Sequence, residues 1–441
     1  MPYRKTGSLY CSLIWYVAGT LNMTGGGERV IMEGLKYFKT KDLEATLLLH
    51  KAMPNQVAFF DNTYAPKLCV IDNYDDKGPE ESLSFWNKMV LRFRRIPKIN
   101  SAIFSINPDV IIANDLHTFR VLWVSNLISF RKLPVVVTFM HGSPFQFDDD
   151  LTKYSLVFRR NFDEIRNNDP VYRNIISAKP PHIKLPKRII LEIDCFLRYL
   201  ILRRSKFVFV ISEKNRREIE LLFGHRNVVV ISAGGFSRSE LLYQRGQDMK
   251  TAFGLENHCI ILSICRLVSK KRVELSIQAF AKLVENNQNN NCVMVIGGTG
   301  PHESILRSLC RDLQIEEKVR FIGQVPESQL RDWYCSCDVF ISTDNADYDL
   351  SVMMALPLGC KVVISTQYSL PLELDKVRRF FFIAEPSIQD LARAINQAIQ
   401  TPLSPIDAID IQELERLTWE CYFDTVLTLA NCAEDRHHLQ I

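Results

Sequence analysis

The chain has 441 residues, 47% hydrophobic and 24% charged, with 54 Lys and Arg against 50 Asp and Glu and a formal charge of +4. That length exceeds a single hydrophobic core and sets an expectation of two or three domains, while the composition excludes a disordered chain. So small a net charge argues neither for nor against nucleic acid, and the twelve cysteines are spread too thinly for a disulfide scaffold or a zinc site. A reduced, cytosolic chain without a structural metal is expected.

In chain order, Tyr3-Arg4-Lys5 and the apolar run Leu9–Val17 have the outline of a signal peptide. The run leads directly into a glycine-rich turn and an amphipathic helix, so it reads as the first strand of a Rossmann-like unit. The following helix carries Ile31, Gly34, Leu35 and Phe38 on one face. Further strands are expected at Ala45–His50, Leu68–Ile71, Val110–Ala113, Val135–Met140, Phe207–Ile211 and Val228–Ile231. Residues 148–186 are polar and proline-rich and read as an inserted excursion. Near Met249–Leu255 the alternation restarts, with strands at Ile260–Ile264, Cys292–Ile296, Val319–Ile322, Val339–Ser342, Lys361–Ile364 and Arg379–Ile383. A helix with Val273, Ile277, Phe280 and Val284 on one side follows the first of these. No run reaches the roughly 18 uninterrupted apolar residues of a membrane span. The closest, Ile189–Leu202, contains Glu192, Asp194 and Arg198.

Alternation of this kind, occurring twice, is the mark of parallel α/β domains. Five segments at expected strand ends could carry chemistry. Gly25-Gly26-Gly27 opens a helix whose free amides favour an anion, or else makes a tight turn. His141-Gly142 ends an apolar strand, where an imidazole can meet a sugar hydroxyl or serve structure alone. Arg266 and Lys271 follow another strand, where two cations can grip a diphosphate. Gly297-Gly298-Thr299-Gly300-Pro301 marks an abrupt turn. Asp344–Gly359 holds an acidic loop and a helix opening near Leu350-Ser351, whose amides are either open to a phosphate or capped.

Taken in order, these segments resemble family four of the retaining glycosyltransferases, typified by sucrose synthases, glycogen synthases and bacterial mannosyltransferases. Gly25–Arg29 is similar to its GGxER loop, and Val136–Gly142 to its VxTxHG strand end. Phe209–Glu218 resembles its S-E-x-x-R-R-E run, Ser263–Lys271 its GRL-xx-xK element, and Gly298–Pro301 its G-x-G-P turn. Phe321–Pro326 resembles the G-x-V-P loop, Leu350–Gly359 the donor-loop helix, and Leu417–Glu420 the F-S-W-E element.

The resemblance implies a GT-B fold with two Rossmann-like domains facing a central cleft. The N-terminal domain would span 1–240 on the acceptor side and the C-terminal domain 241–405 on the donor side. Residues 406–441 would form a helix returning to the N-terminal domain. It further implies a metal-free transfer of sugar from a UDP- or GDP-sugar to a glycan or lipid-linked acceptor. His141 and Asp347 would be catalytic, and Gly26, Gly27, Arg266, Lys271, Gly298, Gly300, Gln324, Val325, Leu350, Ser351 and Met354 would hold the donor. No nucleic acid is expected as partner. The family's paired glutamates fall on Ala346 and Met354, and a thioether is a poor acceptor for ribose hydroxyls. Asp347 is the nearest carboxylate to the first position. The alternative is a weak or inactive GT-B protein that binds a partner glycosyltransferase or glycan; a Rossmann oxidoreductase lacks its fingerprint. Arg92, Arg94 and Arg95, with Lys184, Lys187, Arg188, Arg198, Arg203 and Arg204 around the helix near 187–204, suit peripheral contact with an anionic membrane.

Overall fold

The computed structural model describes residues 12–18, 26–52, 67–72, 85–129, 134–141, 155–158, 161, 164, 184–232, 234–242, 248–285, 291–344, 348–368, 374, 377–402 and 406–435. The chain forms two compact units, one of Met1–Ile231 with Phe423–Ile441 and the other of Ser232–Tyr422.

The first unit is built on a seven-stranded parallel sheet, β1 (Ser12–Val17), β2 (Glu44–Leu49), β3 (Lys67–Val70), β4 (Val110–Ala113), β5 (Val135–Met140), β6 (Phe207–Val210) and β7 (Val228–Val230). Their order is β3-β2-β1-β4-β5-β6-β7. Central strands such as VIIA of β4 are buried throughout, as expected where helices cover both faces of a parallel sheet. The helices are α1 (Gly26–Thr40), α2 (Phe85–Ile106), α3 (Leu116–Ser129), α4 (Leu185–Leu202) and α5 (Glu213–Phe223). Ile31, Leu35 and Phe38 of α1 are buried. Gly34 lies so close to β1 that a Cβ there would stand 2.3 Å from the Trp15 ring.

The second unit repeats the plan. Its strands are β8 (Cys259–Ile264), β9 (Cys292–Gly297), β10 (Val319–Gly323), β11 (Val339–Ser342), β12 (Lys361–Ser365) and β13 (Phe381–Ala384), all parallel, in the order β10-β9-β8-β11-β12-β13. Apart from a single helical turn at Met249–Ala252, the helices here are α6 (Val273–Val284), α7 (Glu303–Asp312), α8 (Glu327–Ser336), α9 (Leu350–Ala355), α10 (Ile388–Gln400) and α11 (Ala408–Glu415). Val273, Ile277, Phe280 and Val284 of α6 are all buried.

Each expected strand forms, with differences at the chain's end. The last begins at Phe381 rather than Arg379, because Arg378–Phe380 makes a single 3-10 turn and Arg379 donates to Asp410 of α11 at 2.7 Å. The C-terminal helix expected over 406–441 is two, α11 and α12 (Trp419–Asp435). Between them the backbone leaves the helix to pair with an extended segment. Gly234 N donates to Leu417 O at 2.6 Å and Trp419 N to Phe236 O at 2.9 Å. A Cβ at Gly234 would lie 2.5 Å from Leu417 O, so the pairing requires glycine.

In both sheets the strand order reverses direction once, between β1 and β4 and between β8 and β11. Open α/β sheets bind ligands beyond the carboxyl ends of the strands at that reversal.

Candidate functional site

At the reversal in the first unit, β1 supplies Trp15, the turn after β4 supplies Asn114, and the end of β5 supplies His141. Trp15 Nε1 donates to Asn114 Oδ1 at 3.2 Å, and His141 Nε2 lies 3.2 Å from the same oxygen. An indole N–H only donates, so the atom it faces is the amide oxygen and His141 Nε2 carries the proton. In the neutral ring Nδ1 is then the remaining acceptor. Burial pushes the His141 pKa down to about 4, against smaller upward effects of the Asp115 charge and a hydrogen bond with the Asn114 backbone. The imidazole is therefore uncharged at neutral pH. Gly26 opens α1, and a Cβ on Gly27 would sit 3.6 Å from His141 Cδ2, so the glycine loop and the histidine meet.

Beside this lies a charged knot. Arg95 of α2 donates from Nε to Asp72 Oδ2 at 2.6 Å, and Lys98 donates to Asp72 Oδ1 at 2.8 Å. Arg95 Nη1 also reaches His50 Nδ1 at 3.4 Å, and His50 Nε2 is 2.6 Å from the Tyr16 hydroxyl. Burial alone would raise the Asp72 pKa, but the hydrogen bonds and charges of Lys98 and Arg95 hold it below the usual carboxylate range. Arg95 is only 4% exposed, which removes it from the basic surface read in the sequence. Its guanidinium pairs with Asp72.

At the reversal in the second unit, β8 runs into Cys265-Arg266-Leu267. Leu267 is fully buried and anchors the turn, leaving Arg266 exposed. The glycines after β9 explain this turn's position. A Cβ on Gly298, whose φ is +124°, would lie 1.9 Å from Cys265 O, and one on Gly300 would lie 2.3 Å from Leu267 O. The two loops hydrogen-bond as a strand pair would, Cys265 N to Gly297 O at 3.0 Å and Leu267 N to Thr299 O at 2.9 Å. The loop after β10 joins them, with Gly298 N donating to Gly323 O at 2.6 Å and Val325 close against Gly297. Gln324 is exposed.

Lys271 is drawn toward the end of β11. Arg272 Nε donates to Thr343 O at 2.8 Å, and Thr343 Oγ1 donates to Arg272 O at 2.9 Å, stitching the two loops. Lys271 Nζ then pairs with Asp344 at 2.5 Å and Asp349 at 3.4 Å. Burial disfavours the ammonium, but the two carboxylates outweigh it and raise the Lys271 pKa above the ordinary lysine value. Burial likewise pushes Asp349 up, while the Lys271 charge and hydrogen bonds from Ser351 and Ser342 hold it below its ordinary value.

Asp349 also caps α9, accepting from Ser351 N at 2.9 Å. The Ser351 amide is therefore engaged, which is the capped form of that helix. The backbone N of Asp349 donates to the Tyr368 hydroxyl at 3.2 Å. Leu350 opens α9 and is partly exposed; Met354, on the same helix, is 5% exposed, and a Cβ on Gly235 would lie 2.9 Å from its Cγ. Ala346 and Asp347 lie outside the described residues.

The structure thus gathers Gly26, Gly27 and His141 in the first unit, and Arg266, Lys271, Gly298, Gly300, Val325, Leu350 and Ser351 around linked loops of the second. Trp15, Asn114 and the Asp72 knot were missed. Asn114 follows directly after an apolar strand, and that position was the available signal. Among the described residues no group of three or more His, Cys, Asp or Glu side chains could hold a metal, and all ten described cysteines are free.

Two parallel α/β units of this topology define the GT-B fold. HepE from Anabaena in complex with UDP and glucose matches with a TM-score of 0.61 at 16% identity, over 97% of this chain and 99% of that one. Sucrose-phosphate synthase from Thermosynechococcus elongatus matches with a TM-score of 0.65 at 14% identity, over 97% and 98%. More particularly, residues 247–411 match the family described as glycosyl transferases group 1. The alpha-monoglucosyldiacylglycerol synthase of Streptococcus pneumoniae is 26% identical over 176 residues, 39% of each protein. One component of the human phosphatidylinositol N-acetylglucosaminyltransferase is 24% identical over 140 residues, 32% of this chain and 28% of that one. These alignments span less than half of either curated relative.

Proposed function

We propose that the protein transfers a sugar from a UDP- or GDP-sugar to a glycan or lipid-linked acceptor, with retention of configuration and without a bound metal. The observation that carries this reading is the placement of Arg266 and Lys271 beyond β8, at the strand-order reversal and inside the segment matching group 1 glycosyltransferases. In that role the two cations balance the diphosphate as it leaves. Gly298 and Gly300 hold their loop, while Gln324, Val325, Leu350, Ser351 and Met354 line the donor's nucleotide side. His141 offers a neutral imidazole to the donor sugar, and Asp347 supplies the carboxylate missing at Ala346. A lipid-linked acceptor is supported by relatives named for diacylglycerol and phosphatidylinositol, and peripheral contact with an anionic membrane goes with it. No described helix is long and apolar enough to cross a membrane.

A second reading, a GT-B protein that binds a partner glycosyltransferase or glycan without turnover, is favoured by one feature. The ammonium assigned to the donor phosphate is already neutralised by Asp344 and Asp349. The test is donor hydrolysis across a panel of sugar nucleotides, with calorimetry on the parent chain, Arg266→Ala and Lys271→Ala. Hydrolysis and binding are expected with at least one donor, each substitution weakening binding roughly ten- to hundred-fold, as for loss of a charged hydrogen-bond partner. No binding and no hydrolysis with any donor would leave the non-enzymatic reading standing.

A further inference from the structure

Helix α4 is amphipathic the wrong way round for a helix on a water-soluble surface. Its residues Leu185, Ile189, Ile193, Phe196 and Leu200 follow one another at three- and four-residue spacing and so share one face. That face is turned outward, with Ile189 52%, Ile193 55%, Phe196 51% and Leu200 41% exposed. Ile190 and Leu197 widen it.

Glu192, three residues after Ile189 and four before Phe196, borders this face, and it and Asp194 pin the helix. Glu192 accepts from Ser155 Oγ at 2.6 Å and from Leu156 N at 2.9 Å. Asp194 pairs with Arg198 at 2.7 Å and with Arg120 of α3. Cys195 and Leu202 are fully buried on the opposite side, where α4 packs on α3 and α5. The outward stripe is therefore not a helix that failed to dock. Its orientation is fixed by ion pairs and a buried face.

What covers it is told by its ends. Lys184 and Lys187 at the start and Arg203 and Arg204 at the finish are all exposed. Among the described residues Lys184, Lys187 and Arg204 make no side-chain ion pair. An apolar stripe with cations at both ends matches the boundary between lipid headgroups and acyl chains of an anionic bilayer, into which such helices sink while lying flat. A second copy of the chain would set these cations against their own kind.

We propose that α4 is the membrane-docking element of the first unit, lying in the plane of an anionic bilayer with Ile189, Ile193, Phe196 and Leu200 in the acyl boundary. The inference gives an address to the lipid-linked acceptor of the proposed function and rests on that reading only for its purpose. The test is co-sedimentation of the full chain with phosphatidylcholine vesicles, with and without phosphatidylglycerol. Binding is expected with phosphatidylglycerol and is expected to fall as salt rises. Ile193→Glu with Phe196→Glu should lower partitioning at least about tenfold, since each removes a large apolar side chain from the acyl boundary. Lys187→Gln with Arg204→Gln should lower it several-fold on anionic vesicles only. All four positions are exposed, so an unchanged melting temperature confirms folding. Full vesicle binding by the glutamate variant would overturn the proposal, as would a parent chain that ignores anionic vesicles. A glutamate variant that shifts from dimer to monomer while its vesicle binding stays intact would do the same. Hydrolysis of soluble donors involves no membrane, so vesicle binding without hydrolysis sinks the enzyme reading and leaves this one intact.

Discussion

The two units carry opposite ionic knots at equivalent ends of their sheets. In the first, one carboxylate, Asp72, is shared by two cations, Arg95 and Lys98. In the second, one cation, Lys271, is shared by two carboxylates, Asp344 and Asp349. Among the described ion pairs, the first knot sets two cations on one carboxylate and the second two carboxylates on one cation, with the Arg272 charge also acting on Asp344. Asp72 ties α2 to the end of β3 and leaves His141 to a neutral hydrogen-bond network nearby. The second knot lies where an anionic donor is proposed to bind, so the donor must share Lys271 with two carboxylates. On that proposal Arg266, exposed and outside the knot, is the cation that would meet a diphosphate first.

The largest effect expected from breaking this comparison is on stability in the first unit. Asp72→Ala removes a carboxylate partner from the buried Arg95 guanidinium, and removing one partner of a buried pair costs about 3–5 kcal/mol. Denaturant unfolding of the full chain measures this. A loss below about 1 kcal/mol would mean the knot is solvated and supports nothing.

Next in size is a pH effect at His141. Its folded pKa is depressed to about 4 from an ordinary 6.5. Between those values the unfolded chain binds the proton and the folded chain does not, so stability rises with pH across that window. The contribution is fully present above about pH 6.5 and is lost as pH falls toward 4, by roughly 3 kcal/mol in all. His141→Gln should flatten that part of the stability profile relative to the parent chain. Parallel profiles would show that the imidazole stays solvated enough to titrate normally.

The strands and their repetition were legible because parallel strands buried on both faces appear as unbroken apolar runs, such as VIIA and CIILSI. The position of Arg266 and Lys271 just beyond β8 was legible because a strand's carboxyl end is marked by sequence alone. The glycines at 298 and 300 were visible, but not their reason, since the carbonyls of Cys265 and Leu267 come close only through the pairing of β8 with β9. The same limit hid the inward turn of Arg95, which looked like its neighbours in a basic run. Whether a cation faces solvent or Asp72 is decided 23 residues away along the chain. The break before Trp419 was hidden likewise, because its cause is Gly234 and Phe236.

The smallest expected effect bears most directly on what the second knot does. Asp349→Asn keeps Oδ1 to accept from Ser351 N, so the cap of α9 survives, while the amide nitrogen replacing Oδ2 removes one negative charge from Lys271 and donates to Ser342 Oγ instead of accepting from it. If the carboxylates compete with a donor diphosphate, affinity for UDP or GDP should rise about tenfold by calorimetry, on the scale of one charge-assisted hydrogen bond. Asp344→Asn should act in the same direction, and the pair together should give less than the sum because both act on one ammonium. Unchanged or weaker binding would mean instead that the carboxylates hold Lys271 in its working position. The knot would then correspond in role to Asp72 in the first unit, and the contrast between the two sheets would be one of sign alone.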